Sequence, residues 1–191
     1  LELADQTGIN RSKIVVSHQN LGASEWPGTT ELVKAQAAIL GLRCLESSYR
    51  DKDGEQVSLL QYARKRGKWP SSTNRWCTAD FKRGPGGRVL TTLSRERPGP
   101  ILHIFGFRAE ESPARAKRPV LQLNARWSRS TRPVWDYLPI HDWTVEQVWD
   151  VVRRSGLPVH PAYGLGMSRL SCAMCIFAPQ KALLLAGHHN P

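Results

Sequence analysis

The sequence lacks any apolar run long enough to cross a bilayer. Its longest apolar runs are residues 14–16, 37–40 and 182–186, whereas a membrane-spanning helix needs about 20 apolar residues. It also lacks a heptad or any other fixed repeat, which argues against coiled coils and repeat arrays. What remains is a chain of 191 residues in which 40% hydrophobic residues and 7 tryptophans are enough to build a core. We therefore expect a globular protein with no membrane partner.

Targeting signals and cysteines are also scarce. No charged segment followed by an apolar stretch and a cleavage site is present, so no signal peptide is predicted and we expect a cytoplasmic location. Only four cysteines occur, Cys44, Cys77, Cys172 and Cys175, and structural disulfides are rare in that compartment. The CxxC spacing of the last two makes them candidates for a metal, cluster or redox site.

Acidic residues are few relative to basic ones. Lys and Arg number 27 against 16 Asp and Glu, which gives a formal net charge of +11. Arginine dominates the basic set and makes forked contacts with phosphate and carboxylate groups. An anionic partner, either a nucleotide or a nucleic acid, is one interpretation of this charge. An ordinary solvated basic surface is the other.

Strand-like and helix-like segments alternate along the chain. Strands are predicted over residues 13–17, 42–46 and 101–105, with an extended segment over 134–140. Helices are predicted over residues 29–40, 58–66, 78–93 and 180–186. The third of these is predicted to be interrupted at residues 84–87. A further helix is predicted to begin at Thr144 and to end before Gly156. The alternation predicts an α/β fold, a parallel sheet with helices on both faces. We predict a nucleotide-binding domain over 1–132 and a C-terminal lobe over 133–191.

Two polar loops each follow a predicted strand, over residues 18–28 and 106–112. Ligands bind at the carboxyl ends of the strands in parallel α/β sheets, so we expect both loops to line one crevice. Gly106 allows a sharp backbone turn in the second loop. The basic side chains that follow are Arg108, Arg115 and Arg118. Several guanidinium groups at one strand end suit a polyphosphate; the alternative is an ordinary charged loop.

Three cysteines are candidate metal ligands. Cys77 has basic residues one to two turns further on, and Cys172 and Cys175 form the CxxC pair far downstream. If the fold joins them, they can hold zinc or an iron–sulfur cluster. One alternative is a pair of buried cysteines near a tight turn. A redox pair is less favoured, because that motif normally opens a helix after a strand near the chain start.

Four tryptophans fall into two predicted classes. Trp143 and Trp149 lie around a capped helix with apolar neighbours, so we expect them to pack in the core. Trp26 and Trp69 lie in polar loops, and we expect them to be exposed, where an indole can stack on a base.

Several segments together resemble the phosphoadenosine phosphosulfate (PAPS) reductase family. Residues 106–112, Gly-Phe-Arg-Ala-Glu-Glu-Ser, with Arg115, are similar to its phosphate-binding segment. Residues 138–149 are similar to its P-L-x-x-W-T-x-x-D-V-W run. Further matches, in the same order, lie at residues 25–29, 156–158, 161–163, Gly166 and 171–175. The resemblance covers nearly the whole chain and extends to the PP-loop ATP pyrophosphatase superfamily, most clearly to phage and DNA-modification (phosphorothioation) proteins.

The resemblance implies a fold in which an adenine nucleotide binds at the carboxyl ends of a parallel sheet. Its phosphates normally rest on an S-G-G-x-D-S loop after the first strand, and no such run occurs in these 191 residues. Residues 1–8 are predicted to be the end of a helix closed by Gly8. We therefore expect the first strand and the PP-loop to precede Leu1, and the fragment alone to be inactive. The E-C-G-x-H tail that carries the catalytic cysteine of true PAPS reductases is absent as well.

The implied function is that of an adenine-nucleotide enzyme of sulfur metabolism, with two chemistries open. One is adenylation of an acceptor by ATP with Mg²⁺, releasing pyrophosphate, before sulfur transfer to DNA; its partners would include a sulfur-donor protein such as a cysteine desulfurase. The missing tail and the basic charge favour it. The other is reduction of PAPS to sulfite. An alternative of another class is a catalytically inactive nucleic-acid-binding or scaffold domain. An oligomer is compatible with each.

The resemblance also implies roles for particular residues. The implied catalytic residues are Arg108, Arg115 and Lys82. The implied nucleotide-binding residues are His18, Gln19, Asn20, Gly22, Gly106, Arg108, Glu111 and Ser112. The implied metal ligands are Cys77, Cys172 and Cys175, for a four-iron cluster, with zinc or no metal as alternatives. Relatives with such a cluster often have adjacent cysteines where this chain has Trp76 and Cys77, so a fourth thiolate is missing, and Cys44 is expected to lie apart as a packed thiol.

Overall fold

A computed structural model describes residues 2–173 and 175–190, which form two compact units. The first unit comprises Leu1–Val89 and Pro158–Pro191, and the second comprises Leu90–Leu157. The α-helices are Glu2–Gln6 (α1), Thr29–Ile39 (α2), Leu59–Arg66 (α3), Trp76–Thr78 (α4), Gly84–Glu96 (α5), Pro113–Ala116 (α6), Val145–Ser155 (α7) and Gln180–His189 (α8). The strands are Val15–Asn20 (β1), Arg43–Ser48 (β2), Ile101–Ile104 (β3), Leu121–Leu123 (β4) and Val134–Tyr137 (β5).

The first unit contains a parallel strand pair. Strands β1 and β2 pair from Val15 opposite Arg43 to Asn20 opposite Ser48, and α2 connects them as the crossover that parallel strands require. Helix α3 begins with a capping box, in which Ser58 accepts from the backbone of Gln61 and the Gln61 side chain accepts from the backbone of Ser58.

The helical stretch from α4 to α5 differs from its prediction. The predicted interruption at residues 84–87 lies inside helix α5, and the irregularity is instead a π-helical turn over Ala79–Arg83. Pro85 gives a physical reason, because a proline has no N–H and its ring clashes with the carbonyl four residues earlier in a regular helix. A wider turn before Pro85 relieves that clash, and it leaves Phe81 fully buried at 1% exposure.

The second unit contains a mixed three-stranded sheet in the order β3, β5, β4. Strands β3 and β5 are parallel, with Ile101 opposite Val134, whereas β4, which was not predicted, runs antiparallel to β5. The parallel pairing confirms the predicted α/β class. Strand β5 pairs with β3 in this sheet, and the predicted domain boundary at 132/133 stays a prediction.

Helix α7 has both of its predicted ends. Thr144 and Gln147 form a capping box at its beginning, and Gly156 ends it with a φ of +64°, in the left-handed region that favours glycine. Its residues belong to the second unit. In the described part of the chain, no helix is both long enough and apolar enough to cross a membrane.

The first unit has two apolar clusters. The Trp26 cluster consists of Trp26, Ala162, Met167, Ala173, Ala182 and Ala186. The Trp76 cluster consists of Leu21, Leu59, Ala63, Trp76 and Phe81. The exposure predicted for Trp26 is therefore wrong: only 4% of it is accessible, because the residues before and within α8 cover its ring. Trp69 is 47% exposed, as predicted.

Candidate functional site

The arginine loop, residues 106–118, follows strand β3 in the second unit. The backbone N–H of Phe105 still donates to the carbonyl of Tyr137 across 3.0 Å, so the loop begins at the carboxyl end of the parallel pair. Ser112 then caps α6 by accepting from the N–H of Arg115 across 3.3 Å, with Pro113 in the first helical position. This Ser-Pro start is why a short helix forms here. It places Arg115 in helix α6, within the arginine loop.

Gly106 does not adopt a backbone conformation that only glycine favours, and its predicted role in nucleotide binding stays a prediction. Its φ lies outside the left-handed region, and a Cβ at this position would lie 3.7 Å from Cδ1 of Ile140, an ordinary contact. The chain therefore leaves β3 through a conformation that other residues can adopt.

The two arginines predicted to bind phosphate lie on carboxylates of their own loop. The Arg108 guanidinium pairs with Glu110, and the Arg115 guanidinium pairs with Glu111. Glu111 also accepts from the backbone N–H of Arg108 across 2.9 Å, which ties the two arginines to one carboxylate. Arg108 is the more enclosed, with 14% of its side chain exposed, and it lies 3.4 Å from the carbonyl of Trp143. An anionic ligand at these guanidiniums would compete with Glu110 and Glu111.

An aromatic row, which the sequence analysis missed, supports these guanidiniums. Phe107 stacks on Phe105 with 5.0 Å between ring centroids and an angle of 11° between ring planes. The guanidinium carbon of Arg115 lies 4.3 Å from the centroid of Phe107, and that of Arg118 lies 5.5 Å from it. Such cation–π contacts attract both guanidiniums to the Phe107 ring. The alternation of aromatic residues from the end of β3 was the signal that could have revealed the row.

His141 holds the arginine loop from both sides. Its ring Nε2 lies 3.0 Å from the carbonyl oxygen of Arg115, and its own carbonyl accepts from the N–H of Ala109 across 2.7 Å. Its Nδ1 lies 2.8 Å from Oδ1 of Asp142. A carbonyl and a carboxylate can only accept, so both ring nitrogens must carry hydrogen to satisfy them. The Arg115 carbonyl and the Asp142 carboxylate accordingly raise the pKa of His141.

Three residues that were predicted to bind nucleotide from a loop, His18, Gln19 and Asn20, are the last residues of β1, so the loop begins after Asn20. Their side chains have partners within the first unit. His18 Nε2 lies 3.0 Å from the Thr30 hydroxyl and 3.3 Å from Glu25. The Gln19 amide donates to Ser17 across 2.7 Å. The remaining contacts are those of Asn20, which donates to Glu46 across 2.7 Å and accepts from the N–H of Gly22 across 2.6 Å. This loop and the arginine loop belong to different units, and their sharing of one crevice stays a prediction.

Cys172 and Cys175 influence each other's ionisation. A hydrogen bond from the Cys172 thiol lowers the pKa of Cys175 to about 5, and the Phe177 backbone acts in the same direction, although partial burial acts against both. The same bond and burial raise the pKa of Cys172. Lys82 was predicted to be a catalytic residue. Its positive charge acts to lower the pKa of both Cys172 and Cys175.

The predicted metal ligands come near each other without forming a metal site. Cys77 and Cys172 both pack against the Trp76 cluster. Yet across residues 2–173 and 175–190, no group of three or more His, Cys, Asp or Glu side chains has an arrangement that could hold a metal ion. Trp76, which occupies the position before Cys77, is 5% exposed. The described residues therefore do not form the set of four thiolates that holds a four-iron cluster. Cys44 lies apart, in β2.

Comparisons with known proteins agree on one family. The sequence profile described as the phosphoadenosine phosphosulfate reductase domain matches residues 23–178. An uncharacterized 37.8 kDa protein of Escherichia phage 186 is 32% identical over 118 residues, which cover 62% of this chain and 34% of the phage protein. The adenosine 5'-phosphosulfate reductase of Allochromatium vinosum is 30% identical over 88 residues, which cover 46% of this chain and 32% of that enzyme.

Two further matches extend the comparison. The phosphoadenosine 5'-phosphosulfate reductase of Yersinia enterocolitica is 37% identical over 82 residues, which cover 43% of this chain and 29% of that enzyme. The crystal structure of the PAPS reductase from Candida auris, a phosphate complex, superposes with a TM-score of 0.56 over 89% of this chain and 74% of that chain, at 20% identity, which shows a common fold. The chain matches only about a third of the length of these curated relatives.

Proposed function

The chain belongs to the phosphoadenosine phosphosulfate reductase domain family, and from that premise we propose that its arginine loop binds the phosphate or phosphosulfate group of an adenine nucleotide. The observation that carries the proposal is the position of Arg108 and Arg115, on one loop at the carboxyl end of the parallel pair β3 and β5. Ligands of open α/β sheets bind at this end of the strands.

The arrangement suits phosphate for a second reason. Phe107 holds the Arg115 guanidinium against its ring, and His141 fixes the backbone that carries Arg115. A guanidinium that is held before the ligand arrives loses less side-chain entropy on binding. Its flat fork can then make two parallel hydrogen bonds to phosphate oxygens, which a lysine cannot do.

Reduction of a sulfonucleotide to sulfite is the reaction we propose for the whole protein. Its relatives include adenosine 5'-phosphosulfate and phosphoadenosine 5'-phosphosulfate reductases. Sulfate sulfur takes up two electrons in becoming sulfite, and a thiol donor has to supply them. In that reaction the arginine loop would bind and orient the nucleotide and neutralise its anionic charge.

A second candidate is adenylation by ATP that prepares an acceptor for sulfur transfer to DNA. The basic charge favours it: residues 113–135 contain no Asp or Glu but six cations, Arg115, Lys117, Arg118, Arg126, Arg129 and Arg132. In this chemistry ATP enters with Mg²⁺, and a sulfur-donor protein such as a cysteine desulfurase delivers the sulfur. A catalytically inactive domain that binds nucleic acid through the same charge is the third candidate.

Calorimetric titration of the full-length protein separates the three candidates. Adenosine 5'-phosphosulfate, PAPS, ATP with Mg²⁺ and a short DNA duplex are titrated under the same salt conditions. Preference for a sulfonucleotide over ATP supports the reductase, and the reverse preference supports adenylation. Binding of DNA alone, with a steep loss of affinity as salt rises, supports the third candidate and contradicts the proposed nucleotide site.

A further inference from the structure

Helix α3 ends in a basic segment that the arginine loop does not involve. Arg64, Lys65 and Arg66 form its last turn, and Lys68 follows Gly67, whose φ of +64° ends the helix. All of these cations are exposed. In the part of the chain that the structure describes, the side chains of Arg64, Lys65 and Lys68 have no hydrogen-bond or ion-pair partner. Their charge is therefore available to an anionic partner.

Trp69 follows the basic segment directly and exposes much of its ring. It lies three residues after Arg66, the last residue of α3, so their Cα atoms are at most about 11 Å apart. The exposed fraction of Trp69 is 47%, although tryptophan is highly buried on average. An exposed indole beside unpaired cations is typical of a surface on which bases stack.

A cavity of about 340 Å³, called the tyrosine cavity below, opens beside α3. Tyr49 and Tyr62 line it, and their ring centroids are 4.9 Å apart. Lys65 lines it as well, so the cavity and the basic segment share a residue. Cavities of about 300–1,000 Å³ hold small organic ligands. The tyrosine cavity is therefore large enough for one nucleobase.

Both tyrosines are held in place by contacts within the first unit. Tyr49 stacks on the buried Phe81 with 4.8 Å between ring centroids and an angle of 28° between ring planes. The Tyr62 hydroxyl donates to Asp80 across 3.0 Å and accepts from Arg66 across 3.1 Å. A ligand that enters the cavity meets rings that are already ordered, which lowers the entropy lost on binding.

The charges around the cavity divide a ligand into two parts. Asp51 and Glu55, on the loop before α3, also line the cavity. Their carboxylates repel phosphate and can accept hydrogen bonds from the amino groups of a base. The cations of the basic segment attract phosphate instead. This division fits a strand whose base enters the cavity while its backbone runs along the end of α3. An acidic peptide has no group that stacks on the tyrosines or on Trp69 in this way.

We propose that the basic segment, Trp69 and the tyrosine cavity form a binding site for single-stranded nucleic acid. One base enters the cavity, another base of the strand stacks on Trp69, and the phosphates lie on Arg64, Lys65 and Lys68. Stacking on these side chains requires unpaired bases, so a duplex cannot use the site fully. The site belongs to the first unit and the arginine loop to the second, and the proposal does not depend on the nucleotide proposed above.

Fluorescence anisotropy of the full chain with a labelled DNA strand of about 12 nucleotides, within the known range of site sizes, tests the proposal. The duplex of the same sequence is measured at the same salt concentration, and we expect the single strand to bind more tightly. Trp69→Ala should weaken binding of the single strand by about 5- to 150-fold, the loss of one base–aromatic stack. Phe177→Ala is the matched control, because Phe177 is also 47% exposed in the first unit, and it should bind as the wild type does.

The salt dependence of binding tests the phosphate contacts separately. Lys65→Gln should reduce the slope of log affinity against log salt by about 0.7, the value for one phosphate of a single strand. Lys181→Gln, which removes an equal charge from an exposed position in α8, should leave the slope unchanged.

Four results would overturn the proposal. The first is the absence of single-strand binding at low salt. The second is a duplex that binds as tightly as the single strand while Trp69→Ala binds as the wild type does, which would show a purely electrostatic contact. The third is binding that Arg126→Gln abolishes and Trp69→Ala does not, which would place the contact in the second unit. The fourth is equal competition by polyglutamate, which would indicate an acidic protein partner.

Discussion

The ring Nε2 of His141 lies 3.0 Å from the carbonyl oxygen of Arg115. The carbonyl of His141 also accepts from the N–H of Ala109, so one buried histidine joins both ends of the segment 109–115, which directly follows Arg108. The contact is made by backbone atoms of the loop, and it leaves the guanidiniums available to carboxylates or to a ligand. His141 therefore positions the arginine loop.

Protonation of His141 should stabilise the chain. Because the folded pKa lies above its ordinary value of 6.5, this stabilisation is fully present below that value and is lost as the pH rises through the folded pKa. Thermal unfolding of the wild type and of His141→Gln from pH 5.5 to 8.5 checks this prediction. The wild type's advantage in Tm should shrink as the pH rises. A difference that stays constant across that range would contradict it.

Cys175 should react with iodoacetamide at a pH where Cys44 does not. The pKa of Cys175 lies at about 5, while burial raises the pKa of Cys44, and the thiolate is the reactive form. After alkylation at pH 6 and digestion with trypsin, mass spectrometry should find the peptide 170–181, which contains Cys172 and Cys175, alkylated and Cys44 unmodified. Equal alkylation of Cys175 and Cys44 at pH 6 would contradict the lowered pKa of Cys175.

Lys82 should contribute to the reactivity of Cys175 with iodoacetamide. Its charge favours the thiolate of Cys175, so Lys82→Gln should move the pH profile of alkylation upward. Lys181→Gln removes an equal charge from α8 of the same unit and should leave the profile in place. An unchanged pH profile of alkylation in Lys82→Gln would show that Lys82 does not act on the Cys175 thiol.

Phe81 should be essential to the stability of the first unit. It is 1% exposed and stacks on Tyr49 with 4.8 Å between ring centroids. Phe81→Ala should lower the free energy of unfolding by about 3–5 kcal/mol, because it leaves a cavity where a large side chain is fully buried. Phe177→Ala, at a position 47% exposed and stacked on Arg75, should cost about 1 kcal/mol. Urea unfolding measures both, and equal losses would contradict this account of the core.

The sequence predicts local features of this fold well. The capping box at Thr144 and Gln147 and the glycine that ends α7 depend on neighbouring residues only, and both are present. The parallel pairing was predicted from the alternation of strand-like and helix-like segments, because parallel strands need a crossover between them. The short strand β4 was missed because three residues are too few for apolar alternation to distinguish a strand from a loop.

Features that depend on distant residues could not be predicted. Trp26 lies in a polar loop, and its burial depends on α8, far along the chain. His141 has no signal in its own segment, because its partners Ala109 and Arg115 are brought to it by the parallel pairing of β3 and β5. Glu110 and Glu111 lie in the same sequence segment as Arg108 and Arg115, but the pairing of these carboxylates with the arginines depends on the turn that the loop adopts.

The central claim is that the arginine loop binds an anionic adenine nucleotide, and calorimetry on Arg108→Gln tests it most directly. The control is Arg97→Gln, which removes the same charge from an exposed position in the same unit. We expect Arg108→Gln to weaken binding of adenosine 5'-phosphosulfate or PAPS by about 10- to 100-fold, the scale of a lost charge-assisted hydrogen bond, and Arg97→Gln to bind as the wild type does. Unchanged affinity in a folded Arg108→Gln protein would contradict the claim.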